Sequence, residues 1–299
     1  MISRDKDLKL IRIYFYVCEK FEELQFYCER FSNNNEPEFT DQEIMTIYLY
    51  TMQHEGHKTA RHIHRFASEY LMSWFPKLGS YQAFNNRLNR LGGVFTRLVE
   101  ILLTDFQPDD CLFDQSLLDS MPIITCSGKR SGKVAREIAD KGYCSTKGIY
   151  YYGLKLHLLG FRRIGKLPHP EQILFTPASV NDVTVFKDAW SGIEDRIFFG
   201  DKIYFVNELN QYMLEHQNSE VLAPVKAVKG MSEVTKQRLK AADDLFSTAV
   251  SKVRQPVEAI FNWLIEKADI QKASKVRSTR GLMVHAFGRL AAAFITLAI

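Results

Sequence analysis

The hydrophobic period of this chain changes once, at Gln107-Pro108-Asp109-Asp110, and that change limits the available folds more than any single motif does. Before it, apolar residues recur at three and four spacings over residues 8–31, the period of an amphipathic helix. Thr40 and Glu43 stand three apart ahead of an apolar run, the pattern of a capping box. Residues 58–74 predict another helix, and residues 80–103 a further one that Ser80 can cap. After the turn, β-rich runs cover residues 111–118, 148–159, 173–176, 196–200 and 221–223. Helical stretches fall at 181–190 and 205–216, and two more close the chain at 255–272 and 281–299. Three strands, then alternating helix and strand, predict a mixed α/β sheet with flanking helices. The expected organisation is a helical domain over residues 1–108 and an α/β domain over 109–299.

Charge is segregated along the same axis. The whole chain carries a formal net charge of only +4. Residues 1–110 hold 13 Lys and Arg against 16 Asp and Glu, a net of −3. Residues 126–170 hold ten cations, among them Lys129, Arg130, Lys133 and Lys147, opposed by Glu137 and Asp140 alone, a net of +8. Residues 225–240 add five cations against Glu233. Basic blocks of this kind neutralise phosphates and release counterions, and Tyr143, Tyr150, Tyr151 and Tyr152 are interleaved with the first of them. A solvated surface loop is the plainer alternative. The pattern favours DNA.

Within the first third, the helix opening at Ser80 carries Gln82, Asn85, Asn86, Arg87, Asn89 and Arg90. Amides and guanidinium groups pair bidentately with base edges, so a reading helix is one expectation, with Arg87 and Arg90 touching the bases. A helical bundle with a polar face explains the same residues equally well. Five cysteines form no Cys-x-x-Cys pair, which argues against a disulfide framework and a four-cysteine zinc site, and for a reducing compartment. No apolar signal core follows the mixed-charge start, and His285 and Arg289 interrupt the apolar end. A buried C-terminal helix is expected there, not a membrane span.

Thirty-five acidic residues leave position to discriminate among them. Asp119 follows an apolar strand in Leu118-Asp119-Ser120-Met121-Pro122, and Pro122 is expected to take the chain out of the sheet. Asp114 is its rival, five residues away and so on the opposite face of a regular strand. Asp201 ends a second apolar strand, Ile197-Phe198-Phe199-Gly200-Asp201. Glu258 stands in the first turns of a helix, with Arg254 and Asn262 on its face. Two strand-end aspartates and a helical glutamate can hold two magnesium ions, which activate a nucleophile and stabilise a leaving oxygen.

Several flanking elements appear in order: Asp119-Ser120-x-Pro122, Gly142-Tyr143, Tyr152-Gly153-x-Lys155-x-His157, Thr176-Pro177-Ala178 with Asp182, Gly200-Asp201-Lys202-x-Tyr204, and Arg254-x-x-x-Glu258. This ordered set resembles the DDE transposases of bacterial insertion sequences, and is most similar to the insertion-sequence 982 family. The likeness begins near Leu112. It implies an RNase H-like fold in which Asp119, Asp201 and Glu258 are the catalytic metal ligands, with Mg²⁺ as cofactor and Mn²⁺ as a substitute. It further implies cleavage at terminal inverted repeats, strand transfer into target DNA, a homodimer on DNA, and a cytoplasmic, nucleoid-associated enzyme. Lys155, His157, Lys202 and Arg254 would then meet DNA beside the acids. Ile203 stands where such enzymes usually carry Gly, and Ser251 and Ile265 replace the Tyr and Lys that often flank the last element. An RNase H-like nuclease without strand transfer and a non-catalytic DNA-binding protein are the alternatives. The presence of all three acids speaks against the second.

Two weaker signals carry less. His54, His57, His62 and His64 lack a cysteine or suitably spaced acid to complete a zinc site. Gly128 to Lys133 has the wrong glycine spacing for a phosphate loop and reads as a basic loop over DNA.

Overall fold

The computed structural model describes residues 4–29, 37–56, 58–130, 132–145, 147–225 and 232–298. The first third is helical: α1 (Arg4–Leu24), α2 (Asp41–His54), α3 (Ala60–Tyr70), α4 (Tyr81–Leu88) and α5 (Gly92–Asp105). The capping box at α2 forms in both directions, Thr40 receiving the Glu43 N–H and Glu43 receiving that of Thr40. Thr59 caps α3 and Ser80 caps α4. The single helix expected over 80–103 is broken by a tight turn at Asn89–Leu91. The break matters for packing: a Cβ on Gly92 would lie 2.8 Å from that of Met283, so the glycine lets the C-terminal helices sit against α5.

Among the described residues six strands follow: β1 (Leu112–Ser127), β2 (Asp140–Cys144), β3 (Ile149–Arg162), β4 (His169–Pro177), β5 (Ile197–Phe199) and β6 (Glu220–Leu222). They pair in the order β2-β3-β1-β5-β6, with β4 lying along β3 beyond the end of β2. The pairs among β1 to β4 are antiparallel, whereas β5 and β6 run parallel to β1. Interleaved and following helices are α6 (Asp182–Val185), α7 (Asn207–Gln217), α8 (Glu233–Arg254), α9 (Pro256–Ala268), α10 (Thr279–Met283) and α11 (Arg289–Ala298). This is a mixed sheet flanked by helices and preceded by a helical region.

Alternation along β1 sends neighbouring leucines to opposite faces. Leu117, Met121 and Ile123 join a large core with the N-terminal helices, α9 and α11. Leu118 joins a smaller one with Phe186, Trp190, Phe198, Tyr204 and Met213. The large core is continuous from Leu10 to Ile295, so the first and last helices stabilise each other. The polar residues in the apolar C-terminal segment are satisfied by carbonyls. Arg289 donates to Ala268, Asp269 and Lys58, and the His285 ring bonds the Ile270 carbonyl at 2.8 Å. Among the described residues no helix is long and apolar enough to cross a membrane.

Pro122 does not end the strand; β1 runs on to Ser127 with Pro122 opposite Lys155. The reason is edge placement. β5 pairs with Gln115 to Leu117, and beyond them that edge of β1 meets no further strand among the described residues, Ile124 alone bridging to Lys272. Ile124, two residues on, turns its N–H and C=O to Gln271 and Ala273 outside the sheet. Pro122 faces the same way, where its missing N–H costs no ladder bond.

Candidate active site

Asp119 sits on β1 just where β5 stops covering it. It lies opposite Leu158, on the face packed by α9. Burial pushes its carboxyl up to about 6. The Arg254 guanidinium and the Ser120 N–H, at 2.8 Å, pull it down, whereas the charges of Asp182 and Asp201 push it further up. Asp114 lies in a stretch of β1 that a register irregularity separates from β3, and it is exposed.

Asp201 follows β5 in a turn closed by the Tyr204 N–H bonding its carbonyl at 2.9 Å. Its carboxylate receives the Lys202 N–H at 2.7 Å. Ile203 keeps a negative φ, so this turn needs no glycine there. Gly200 is required for another reason: a Cβ would meet the Tyr204 ring at 2.8 Å. Tyr204 is fully buried and its hydroxyl has no hydrogen-bond partner among the described residues. Burial, with Asp182, Asp119 and Asp201 nearby, raises its pKa well above the ordinary value.

Glu258 reaches the same place from a different element. Pro256 cannot donate a helical hydrogen bond, so α8 ends at Arg254 and α9 starts at Pro256. The four-residue spacing still aligns the two side chains. Arg254 donates to Asp119 at 3.0 Å and to Glu258 at 3.0 Å, so one cation joins two acids 135 and 4 positions from it. Among the described residues no three His, Cys, Asp or Glu side chains converge into a metal cage in this conformation. The donors nevertheless suit a hard divalent cation. They are carboxylate oxygens, and the like charges crowding Asp119 are countered by Arg254 and the Ser120 N–H.

A second cluster lies on the other face of β3. Lys155 donates to Asp182 at 3.0 Å and to the Val180 carbonyl at 2.9 Å. His157 bonds Thr176 at 2.8 Å and lies 3.5 Å from Asp182; burial lowers its pKa to about 4, which leaves it neutral. Asp182 is visible in the ordered motifs, but its pairing with Lys155 and its influence on Asp119 are not. No short-range sequence signal joins positions 27 residues apart.

The remaining candidates are scattered. Lys129, Arg130 and Lys133 are exposed on the loop after β1, whose Ser131 lies outside the described residues. Lys147 donates to Gln271, and Lys202 is exposed beside Asp201. Arg87 is turned inward, donating to Asp41 and to the Phe39 carbonyl, and Arg90 is half-buried. His64 bonds the Gly79 carbonyl and His54 packs on Tyr50. His57, Lys226 and Lys229 lie outside the described residues.

The family model of the transposase DDE domain matches residues 113–279, more than half of the chain. The chain belongs to that family. The transposase DDE domain thus spans β1 to the start of α10 and contains Asp119, Asp201 and Glu258, together with the Lys155–Asp182 cluster. Membership makes DNA the substrate and transposition the general activity of this enzyme. No curated protein and no solved structure matches the chain.

Proposed function

We propose that this transposase cuts the strand at the terminal inverted repeats of a bacterial insertion sequence and joins the freed end to target DNA. Asp119, Asp201 and Glu258 are its catalytic acids. The observation that carries this reading is Arg254, which ties Asp119 on the central strand to Glu258 on α9 at the open edge where Asp201 also arrives. The sheet order supports an RNase H-like fold, with three antiparallel strands β4-β3-β1 continued by parallel β5 and β6. The ordered motifs favour the insertion-sequence 982 group.

Asp119, Asp201 and Glu258 would hold Mg²⁺, with Mn²⁺ as a substitute. Bound there, two such ions lower the pKa of a water and stabilise the leaving oxygen of a phosphodiester. The chain's own groups do the rest. Arg254 offsets the acids' charge and would be freed to meet a phosphate when that charge is otherwise neutralised. Lys155 holds Asp182 in place, and neutral His157 fixes Thr176 behind it. Water attacks the phosphorus at the element's end and a 3′-hydroxyl leaves; that hydroxyl then attacks a target phosphodiester and displaces a second 3′-oxygen. Lys129, Arg130, Lys133, Lys147 and Lys202 would grip backbone phosphates, and residues 1–108 would supply a DNA-binding domain to the catalytic domain over 109–299. Joining two ends calls for a homodimer on DNA, in the cytoplasm and at the nucleoid. A supercoiled donor plasmid incubated with the protein and Mg²⁺ tests the reading. Cut ends joined to target DNA are the expected products; cut ends that never join would make it a nuclease.

A further inference from the structure

A cleft of 660 Å³ is bordered by β2, the loop after β4 and Ile203, two residues beyond Asp201. Its size falls in the roughly 300–1,000 Å³ range of small-ligand pockets. One wall is Tyr143 and Tyr150, a cross-strand pair whose rings lie 4.9 Å apart and tilted by 50°. Both are more than half exposed, 52% and 60%, although burying either would remove a large apolar ring from water. The Lys141 ammonium lies 5.1 Å over the Tyr150 ring.

The floor is closely packed and hydrogen-bonded. A Cβ on Gly142 would lie 2.3 Å from the Ala178 carbonyl oxygen, so β2 and this loop touch backbone to backbone. Ser179 donates its N–H to Asp140 at 2.8 Å and its hydroxyl to the same carboxylate. Lys155 holds the Val180 carbonyl and neutralises Asp182. The cleft therefore offers aromatic faces, a positive charge at Lys141, and an Asn181 side chain whose oxygen is occupied by the Val183 N–H.

We propose that this cleft receives one unpaired nucleotide of the strand being processed, its base against Tyr143 and Tyr150 and its phosphate near Lys141. The proposal rests on the transposase reading above and names a subsite for its DNA. Aromatic faces stack with any base and so impose no sequence requirement. A base paired within a duplex is covered by its neighbours and cannot enter a cleft; only a nucleotide out of the stack can. Ile203 borders the cleft and follows Asp201 by two residues, which puts the nucleotide next to the reacting strand.

The test uses the full chain in EDTA, so that binding is read without cleavage. Short single-stranded oligonucleotides, each carrying one 5-iodo-deoxyuridine, are photocrosslinked and the adduct is mapped by mass spectrometry. The adduct is expected on Tyr143 or Tyr150. A Tyr143→Ala/Tyr150→Ala variant should bind single strands roughly tenfold more weakly, the effect of removing one stacked base, and bind fully paired duplex as before. Phe at both positions should restore binding. Adducts confined to other residues, an alanine variant with unchanged single-strand affinity, or equal weakening on duplex would each overturn the proposal. Competition by deoxythymidine monophosphate alone, equal to that of the oligonucleotide, would also overturn it by making the site one for free nucleotides. Cleavage by the acids stands or falls independently in the plasmid assay.

Discussion

Two groups of cations in this molecule look alike in sequence and differ in the fold. Arg87, on α4, is 21% exposed and bound to Asp41, itself 13% exposed, and to the Phe39 carbonyl. Lys129, Arg130 and Lys133 stand exposed on the loop after β1, and none of them makes an ion pair among the described residues. A cation can therefore be committed to the fold or left to a partner, and composition does not distinguish the two. The local environment does: Arg87 lies about one turn after Phe84 and next to Leu88, both in the core, whereas the loop cations follow the last exposed residue of a strand.

The largest effect that sharpens this contrast is on DNA affinity. Replacing Lys129, Arg130 and Lys133 by Gln should flatten the salt dependence of binding by roughly 0.9 log unit for each phosphate left unneutralised. If all three cations meet phosphates, affinity should fall on the order of two to three decades at 0.1 M salt, without a change in melting temperature. An unchanged slope in a salt titration would return the loop to plain surface. Next in size is Arg87→Ala, which leaves the half-buried Asp41 without its cation and should cost about 2 kcal/mol in urea unfolding. A variant as stable as the parent that nonetheless blurs the footprint on the inverted repeat would break the comparison and make Arg87 a base reader.

The same division predicts a pH effect. His285 is committed to the Ile270 carbonyl, and burial lowers its pKa to about 3. A histidine depressed in the fold binds its proton more readily when unfolded, so its contribution is intact above about 6.5 and is lost as pH falls below that value. At pH 5 the loss should be about 2 kcal/mol. A His285→Gln variant should flatten the stability profile between pH 7 and 5; a slope equal to the parent's would assign the acid sensitivity elsewhere. The smallest effect is expected at Asp114, exposed on an unpaired part of β1, where Asp114→Asn should cut donor DNA as well as the parent does.

The helical third and the strands that carry the acids are legible in the sequence because their apolar periods are strong. β2 is not. Its sequence, Asp140-Lys141-Gly142-Tyr143-Cys144, has no apolar alternation, and only pairing with β3 makes it a strand. α8 is hidden for the opposite reason: its 22 residues are mostly exposed and Val250 alone is buried, so a basic composition conceals the helix. Pro122 misleads because a proline's meaning depends on which edge of the strand is open, which becomes known only once β5 is in place. At the site, the proposed acids Asp201 and Glu258 stand at a strand end and in a first helical turn as their sequence suggests, whereas Asp119 lies within β1, which continues to Ser127. The Arg254 bridge to Asp119 and the burial of Tyr204 beside the site cannot be read from the sequence, since both depend on distant segments meeting in space.

The central assignment is that Asp119, Asp201 and Glu258 act as one catalytic set, and the direct measurement is cleavage by three single variants. Asp119→Asn, Asp201→Asn and Glu258→Gln should each abolish cutting of supercoiled donor DNA in Mg²⁺ while retaining DNA binding in a gel-shift assay. Any one of them cutting at the parental rate would remove that residue from the set and contradict the assignment.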